Sequence, residues 1–151
     1  MNGDRAGWTG PGGFSGSKIA IISSGALLVY LRDTIETIPF PGYWDLPGGG
    51  REGDESPETC ALRELEEEFS LTLPESALCW RRAYPPVRTA NLPSWFFVAN
   101  VPRADLSDIR FGDEGQEWAL WPLETFLNHD RAVPHLQHRL RDYLADQDGP
   151  A

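Results

Sequence analysis

Three consecutive glycines, Gly48-Gly49-Gly50, stand just ahead of a stretch with a strongly two-faced helical pattern, and this pairing constrains the chain more than any other segment. The helix is predicted over residues 56–69. Ser56 can cap it, Pro57 suits its first turn, and Glu58 sits near the positive end of the helix dipole. Glu64, Glu67 and Glu68 recur at i, i+3 and i+4. At about 100° per residue they share one face, while Leu62, Leu65 and Phe69 share another roughly 140° away. One side therefore packs on a sheet, and the other presents three carboxylates to a cavity or to water. Like charges at this spacing repel by a few tenths of a kcal/mol per pair. A divalent cation would offset that repulsion, and so would solvent around an ordinary acidic helix face. Mg²⁺ takes hard oxygen ligands and keeps part of its shell for water and phosphate oxygens. The glycines let backbone approach a ligand closely, and their carbonyls can add ligands.

Around this stretch, strand and helix signals alternate. Strands are predicted at residues 18–23 and 26–31, joined as a hairpin by a Ser24-Gly25 turn. Residues 33–42, broken by Pro39 and Pro41, read as loop. A short strand at 43–46 stops at Pro47 and the glycines. Further strands are expected at 78–84, 95–101 and 117–121, with a short helix at 122–127 and a longer one at 133–144. In the last helix Val133, Leu136, Leu140, Tyr143 and Leu144 recur at helical spacing. Such interleaving favours an α/β sandwich with helices on both faces of a sheet. Residues 1–17, with six glycines and no apolar period, read as a flexible tail, and residues 147–151 as a short polar one. The domain then occupies residues 18–146. Gly16-Ser17-Lys18 lies near phosphate-loop composition, but the order is wrong and a strand, not a helix, follows.

At 151 residues the chain is sized for one core. Its charge of −10 and pI near 4.6 disfavour nucleic-acid polymers and anionic membranes as partners. No apolar run reaches the roughly 20 residues that span a bilayer, and no apolar signal region opens the chain, so a soluble cytoplasmic protein is expected. Cys60 and Cys79 make neither a disulfide framework nor a metal cage, and both read as packing residues. His135 and His138 lie three apart with no third metal ligand in view. Trp44, Trp95 and Trp121 read as core aromatics rather than base-stacking platforms. Alternation along a strand sends only one of Arg81 and Arg82 to any one face.

The residues now in place resemble the Nudix hydrolase superfamily. Gly49, five residues on to Glu55, then seven on to Arg63-Glu64-Leu65-x-Glu67-Glu68-x-Ser70-Leu71 matches the box G-x5-E-x7-R-E-U-x-E-E-x-G-U at every position except Ser70, where the family has glycine. Trp44-Asp45-Leu46-Pro47-Gly48-Gly49, the preceding hairpin and the Glu117-Trp118 strand are also similar. The resemblance implies an α+β fold, the Nudix-type α/β/α sandwich with a mixed central sheet. It implies a MutT-like pyrophosphohydrolase acting with Mg²⁺ or Mn²⁺ on a nucleoside diphosphate linked to another moiety. Its partner is a small nucleotide, and a homodimer is compatible with it. Glu67 and Glu68 correspond to the principal metal ligands, with the Gly48 carbonyl as a further one. Glu64 corresponds to a ligand or the general base, Arg63 to a residue orienting the carboxylates, and Glu55 to its partner. Glu114 and Glu117 are alternative bases, Glu114 within a Glu114-Gly115-Gln116 segment similar to MutT-type triphosphatases. Arg32 resembles an arginine that contacts substrate.

For the substrate, two resemblances point apart. Ala132 stands where relatives that prefer an oxidised guanine carry asparagine. Pro86 falls 15 residues beyond Leu71 (86 − 71), as in ADP-ribose-type members. A nucleoside triphosphatase, an ADP-ribose or nucleotide-sugar pyrophosphatase and a non-hydrolytic nucleotide sensor all stay open.

Overall fold

A computed structural model of the protein describes residues 13–86, 92–112 and 115–147. Seven strands form one sheet: β1 (Gly16–Ser23), β2 (Ala26–Leu31), β3 (Trp44–Asp45), β4 (Gly48–Gly50), β5 (Leu78–Tyr84), β6 (Ser94–Asn100) and β7 (Glu117–Pro122). The helices are α1 (Pro57–Phe69), α2 (Leu123–Asn128) and α3 (Pro134–Gln147). The main strand order is β3-β2-β1-β6-β5, with β4 also paired to β1 and β7 to β2. β1 runs parallel to β6 and antiparallel to β2 and β4, so the sheet is mixed.

Side-chain alternation divides the core between the two faces. Ile19, Ile21, Leu28, Tyr30, Trp95, Phe97 and Ala99 pack with Cys60, Ala61, Leu65 and Phe69 of α1. Their neighbours Ala20, Ile22, Leu27, Val29, Phe96 and Val98 pack with Phe126 of α2 and with Leu136, Leu140 and Tyr143 of α3. The expected sandwich follows: apolar residues on both sides of each central strand demand a helical layer on both faces.

The expected hairpin forms, and Ser24 and Gly25 both take positive φ (50° and 79°), as its two-residue turn requires. Two boundaries need correction. The N-terminal tail expected over residues 1–17 does not extend to its last residues. β1 begins at Gly16, and Phe14 is buried under the Arg51 guanidinium, 4.6 Å from its ring centroid. Gly16 and Gly49 permit this, since a side chain on Gly16 would collide with the Gly49 carbonyl. Residues 1–12 of that tail, and 148–151 of the C-terminal one, lie outside the described residues. Gln147, expected in the C-terminal tail, is the last residue of α3. Cys79 is also not a packing residue: at a break in the β5–β6 register it turns outward and is exposed. No helix among the described residues is long and apolar enough to cross a membrane.

Candidate active site

The site assembles where β4 delivers the chain into α1. Gly48 has φ of 137°, and a Cβ there would strike the Ser17 carbonyl across the β1–β4 ladder, so only glycine fits. A Cβ on Gly49 would lie 2.5 Å from the Glu64 carboxylate. The bare backbone therefore gives Glu64 its place. Ser56 caps α1 by accepting a bond from the Thr59 amide at 3.1 Å. At the other end Ser70 takes the left-handed conformation (φ 56°, ψ 30°) and its N–H donates to the Glu66 carbonyl. The turn that family members make with glycine is thus made here by a strained serine.

Arg63 gathers the acidic residues. Its Nε and Nη2 donate to the two carboxylate oxygens of Glu55 at 2.9 and 2.8 Å, a bidentate pair, and Nη2 also donates to the Gly50 carbonyl. This holds the Glu55 carboxyl down to about 2, chiefly through the Arg63 bonds. Nη1 lies 3.2 Å from oxygens of both Glu64 and Glu67 and 3.5 Å from Glu52. Glu68 is buried, accepts a bond from the Gly48 amide at 3.0 Å, and is pushed by burial up to about 8. Glu64, Glu67 and Glu68 line one cleft of about 440 Å³ together with Gly48, Lys18 and Arg32.

Sequence reasoning overlooked the group that holds those two cations. Asp45, 2% exposed, accepts bonds from Lys18 Nζ at 3.0 Å, Arg32 Nη1 at 2.8 Å and Tyr30 Oη at 3.2 Å. Burial works against its charge, but Lys18 and Arg32 outweigh that and keep its carboxyl below the usual range. Lys18, which the sequence places at the start of a strand and in no working phosphate loop, also donates from Nζ to the Leu46 carbonyl and reaches the Gly48 oxygen at 3.5 Å. Glu52 is a further cleft residue missed in the sequence. Glu117 sits exposed on β7 opposite Leu31 and does not line the cleft. Glu114 lies outside the described residues, although Gly112, two residues before it, does line the cleft.

Among the described residues no three His, Cys, Asp or Glu groups converge tightly enough to enclose an ion as they stand. The reason is visible: Arg63 draws Glu64 and Glu67 to one guanidinium nitrogen, and Glu68 is tied to the Gly48 amide. The donors are nonetheless all hard oxygens on one helix face, and Glu68 is a buried carboxyl bonded to the Gly48 amide rather than to a cation. That set suits Mg²⁺ or Mn²⁺ with water and phosphate oxygens completing the shell.

Cys60, fully buried and pushed up by burial to about 11, is no nucleophile. Arg81 and Arg82 separate as alternation requires, Arg81 to the buried Glu58 of α1 at 2.8 Å and Arg82 to Asp146 of α3 at 3.2 Å. His135 packs against Phe40, and His138 faces Asp142 at 3.7 Å.

Residues 19–143 match the model of the NUDIX domain. The chain belongs to the NUDIX domain family. It is similar to the m7GpppN-mRNA hydrolase NUDT17 of Danio rerio, 34% identical over 84 residues, which cover 52% of this chain and 28% of that protein. Over 37 residues, 24% of this chain and 33% of the relative, it is 43% identical to the 8-oxo-dGTP diphosphatase of Proteus vulgaris. The chain thus spans at most 33% of the length of these two curated relatives. The MutT protein from Methanosarcina mazei Go1 shares the fold, with a TM-score of 0.70 at 18% identity, over 93% of this chain and 100% of that one.

Proposed function

We propose that this NUDIX domain is a metal-dependent pyrophosphohydrolase that cleaves a nucleoside diphosphate linked to another moiety, such as a nucleoside triphosphate. The observation that carries this reading is a single cleft lined both by three carboxylates of one helix face and by two cations anchored on a buried aspartate. Carboxylates suit a divalent cation, and the cations suit the phosphates it accompanies.

Glu67 and Glu68 would hold Mg²⁺ or Mn²⁺, with Glu64 and the Gly48 carbonyl as further donors. When bound, the ion supplies Lewis acidity toward the diphosphate. Arg63, already fixed by Glu55, keeps Glu64 and Glu67 oriented and limits their mutual repulsion. Lys18 and Arg32 orient the phosphates, and Asp45 keeps both from collapsing onto the carboxylates. Glu64, in the notch that Gly49 leaves, would serve as a further ligand or take a proton from an attacking water. Next to the cleft, and sharing Lys18 and Arg32 with it, lies a cavity of about 240 Å³ bounded by Phe40, Val133, His135 and Leu136, where a base would pack. A small nucleotide fits the charge of −10 better than an RNA polymer does.

One observation favours a second reading, an ADP-ribose or nucleotide-sugar pyrophosphatase. Pro86, at the position resembling ADP-ribose-type members, lines a cavity beside the cleft, while Ala132, buried and bridged to Trp44, brings no side-chain donor or acceptor to an oxidised guanine. The test is product analysis over nucleoside triphosphates, ADP-ribose, nucleotide sugars and dinucleoside polyphosphates with Mg²⁺ and with Mn²⁺. Turnover on any of these supports the hydrolase, and the best substrate names the subgroup. Absence of turnover while Mg²⁺ still raises the melting temperature points to a sensor instead.

A further inference from the structure

Arg139 of α3 is 3% exposed and, among the described residues, makes no hydrogen bond and no ion pair. Its guanidinium lies over the Tyr84 ring, 4.4 Å from the centroid, which covers its flat face and leaves its edge as the donor surface. Asp142, one turn on, is committed elsewhere: it accepts from Tyr84 Oη at 2.8 Å and faces Arg82 at 3.6 Å. Burial pulls Arg139 down to about 10, so it still carries its charge at neutral pH. With no protein acceptor, the donor edge of Arg139 opens onto the adjoining cavity, where water or an anion must supply one.

Arg139 lines a cavity of about 290 Å³, near the lower bound of ligand cavities, roughly 300 Å³. Ser17, Ser94, Pro86 and His135 contribute to its wall, and Lys18, Gly49 and Gly50 belong both to this cavity and to the carboxylate cleft. The β4 backbone therefore lies between the carboxylate cleft and a second chamber that Arg139 helps to line. In a chain of net charge −10, anions are not drawn to the surface at large, so a built cation is what could retain one. Planar guanidinium edges match the paired oxygens of a phosphoryl group.

We propose that Arg139 is a substrate-specificity residue that binds a phosphoryl group carried by the substrate away from the bond that is cleaved. This rests on the hydrolase reading for the word substrate, but the anion site itself does not. The test uses inorganic phosphate as the probe, in EDTA, against chloride at equal ionic strength. Phosphate should raise the melting temperature of the parent protein by about 2–4 °C at saturating concentration. The rise should fall by more than half in Arg139→Met, the remainder being phosphate held by Lys18 and Arg32, and persist in Glu67→Gln, which alters only the carboxylate cleft. Arg139→Met should melt no lower than the parent in chloride, because it removes an unpaired buried charge and keeps the volume. Should Arg139→Met not fold, Arg139→Lys carries the test, and its phosphate shift should fall below half of the parent's. No shift in the parent, or an equal shift in the Arg139 variants, overturns the proposal. Failure of the hydrolase reading would show as absent turnover with the phosphate shift intact.

Discussion

Replacing Asp45 by asparagine tests how the cleft is held together. The substitution keeps the shape but removes the charge that Lys18 and Arg32 share at 3.0 and 2.8 Å. Two cations then face a neutral amide in a site where Asp45 itself is 2% exposed. Removing one partner of a buried ion pair costs about 3–5 kcal/mol, and the amide can still bond Tyr30, so about 3 kcal/mol is expected. For a domain of this size that lowers the melting temperature by roughly 6–12 °C. The pH dependence has a fixed sign. Asp45 has a folded pKa below the unfolded value of about 3.9, so its stabilisation is complete above about pH 5 and is lost as pH falls through the folded pKa. Denaturant melts of both proteins should differ by a constant amount between about pH 5 and 8, with the gap closing in stronger acid. Activity should fall through a raised KM, because Lys18 and Arg32 lose the anchor that aims them. A stability difference below about 1 kcal/mol at pH 7, or a gap that widens as pH falls, would refute the reasoning.

Three further outcomes follow from single residues. Ser70→Gly should raise stability by about 0.5–1 kcal/mol, measured by denaturant melts, because glycine accepts the left-handed φ of 56° without a Cβ penalty. Glu58→Ala should cost about 1–3 kcal/mol, since it removes the carboxylate that pairs with Arg81 at 2.8 Å in a largely buried place; melting of Glu58→Ala beside the Glu58→Ala, Arg81→Met pair checks it, with the second change recovering part of the loss. In native protein one thiol should react with an alkylating reagent and map to Cys79, while Cys60, buried and shifted to about 11, reacts only on unfolding; mass spectrometry of the labelled peptides decides.

Local signals made α1 legible. The Ser56 cap, Pro57 and the apolar spacing all act within a turn or two, so the sequence carries them directly. The carboxylate face was legible for the same reason, since i, i+3 and i+4 need no knowledge of the rest of the fold. What the sequence hid is non-local. The pairing of β1 with β6 across 78 residues, as from Ser17 to Trp95, and of β4 back onto β1, has no local signature. Asp45 looked like one charged residue in a two-residue strand, and only the fold brings Lys18, Tyr30 and Arg32 to it. Glu58 carried a helix-dipole reading that was sound locally, yet it is the buried partner of Arg81 on a distant strand. Cys79 followed strand alternation until the β5–β6 register break turned it outward. Arg139 stands one residue before Leu140 in an otherwise regular apolar pattern, and its burial depends on how α3 docks over Tyr84.

The most direct test of the central claim is hydrolysis of the best substrate by the parent protein and by Glu67→Gln, side by side, with saturating Mg²⁺. Glu67 is the most exposed of the three cleft carboxylates, 56% against 13% for Glu64, so its amide should leave the fold and melting temperature intact. The account predicts turnover in the parent and a loss on the order of 100-fold or more in the variant, because a ligand to the catalytic ion has been neutralised. Equal turnover in the two proteins would contradict the assignment of the carboxylate face as the catalytic site.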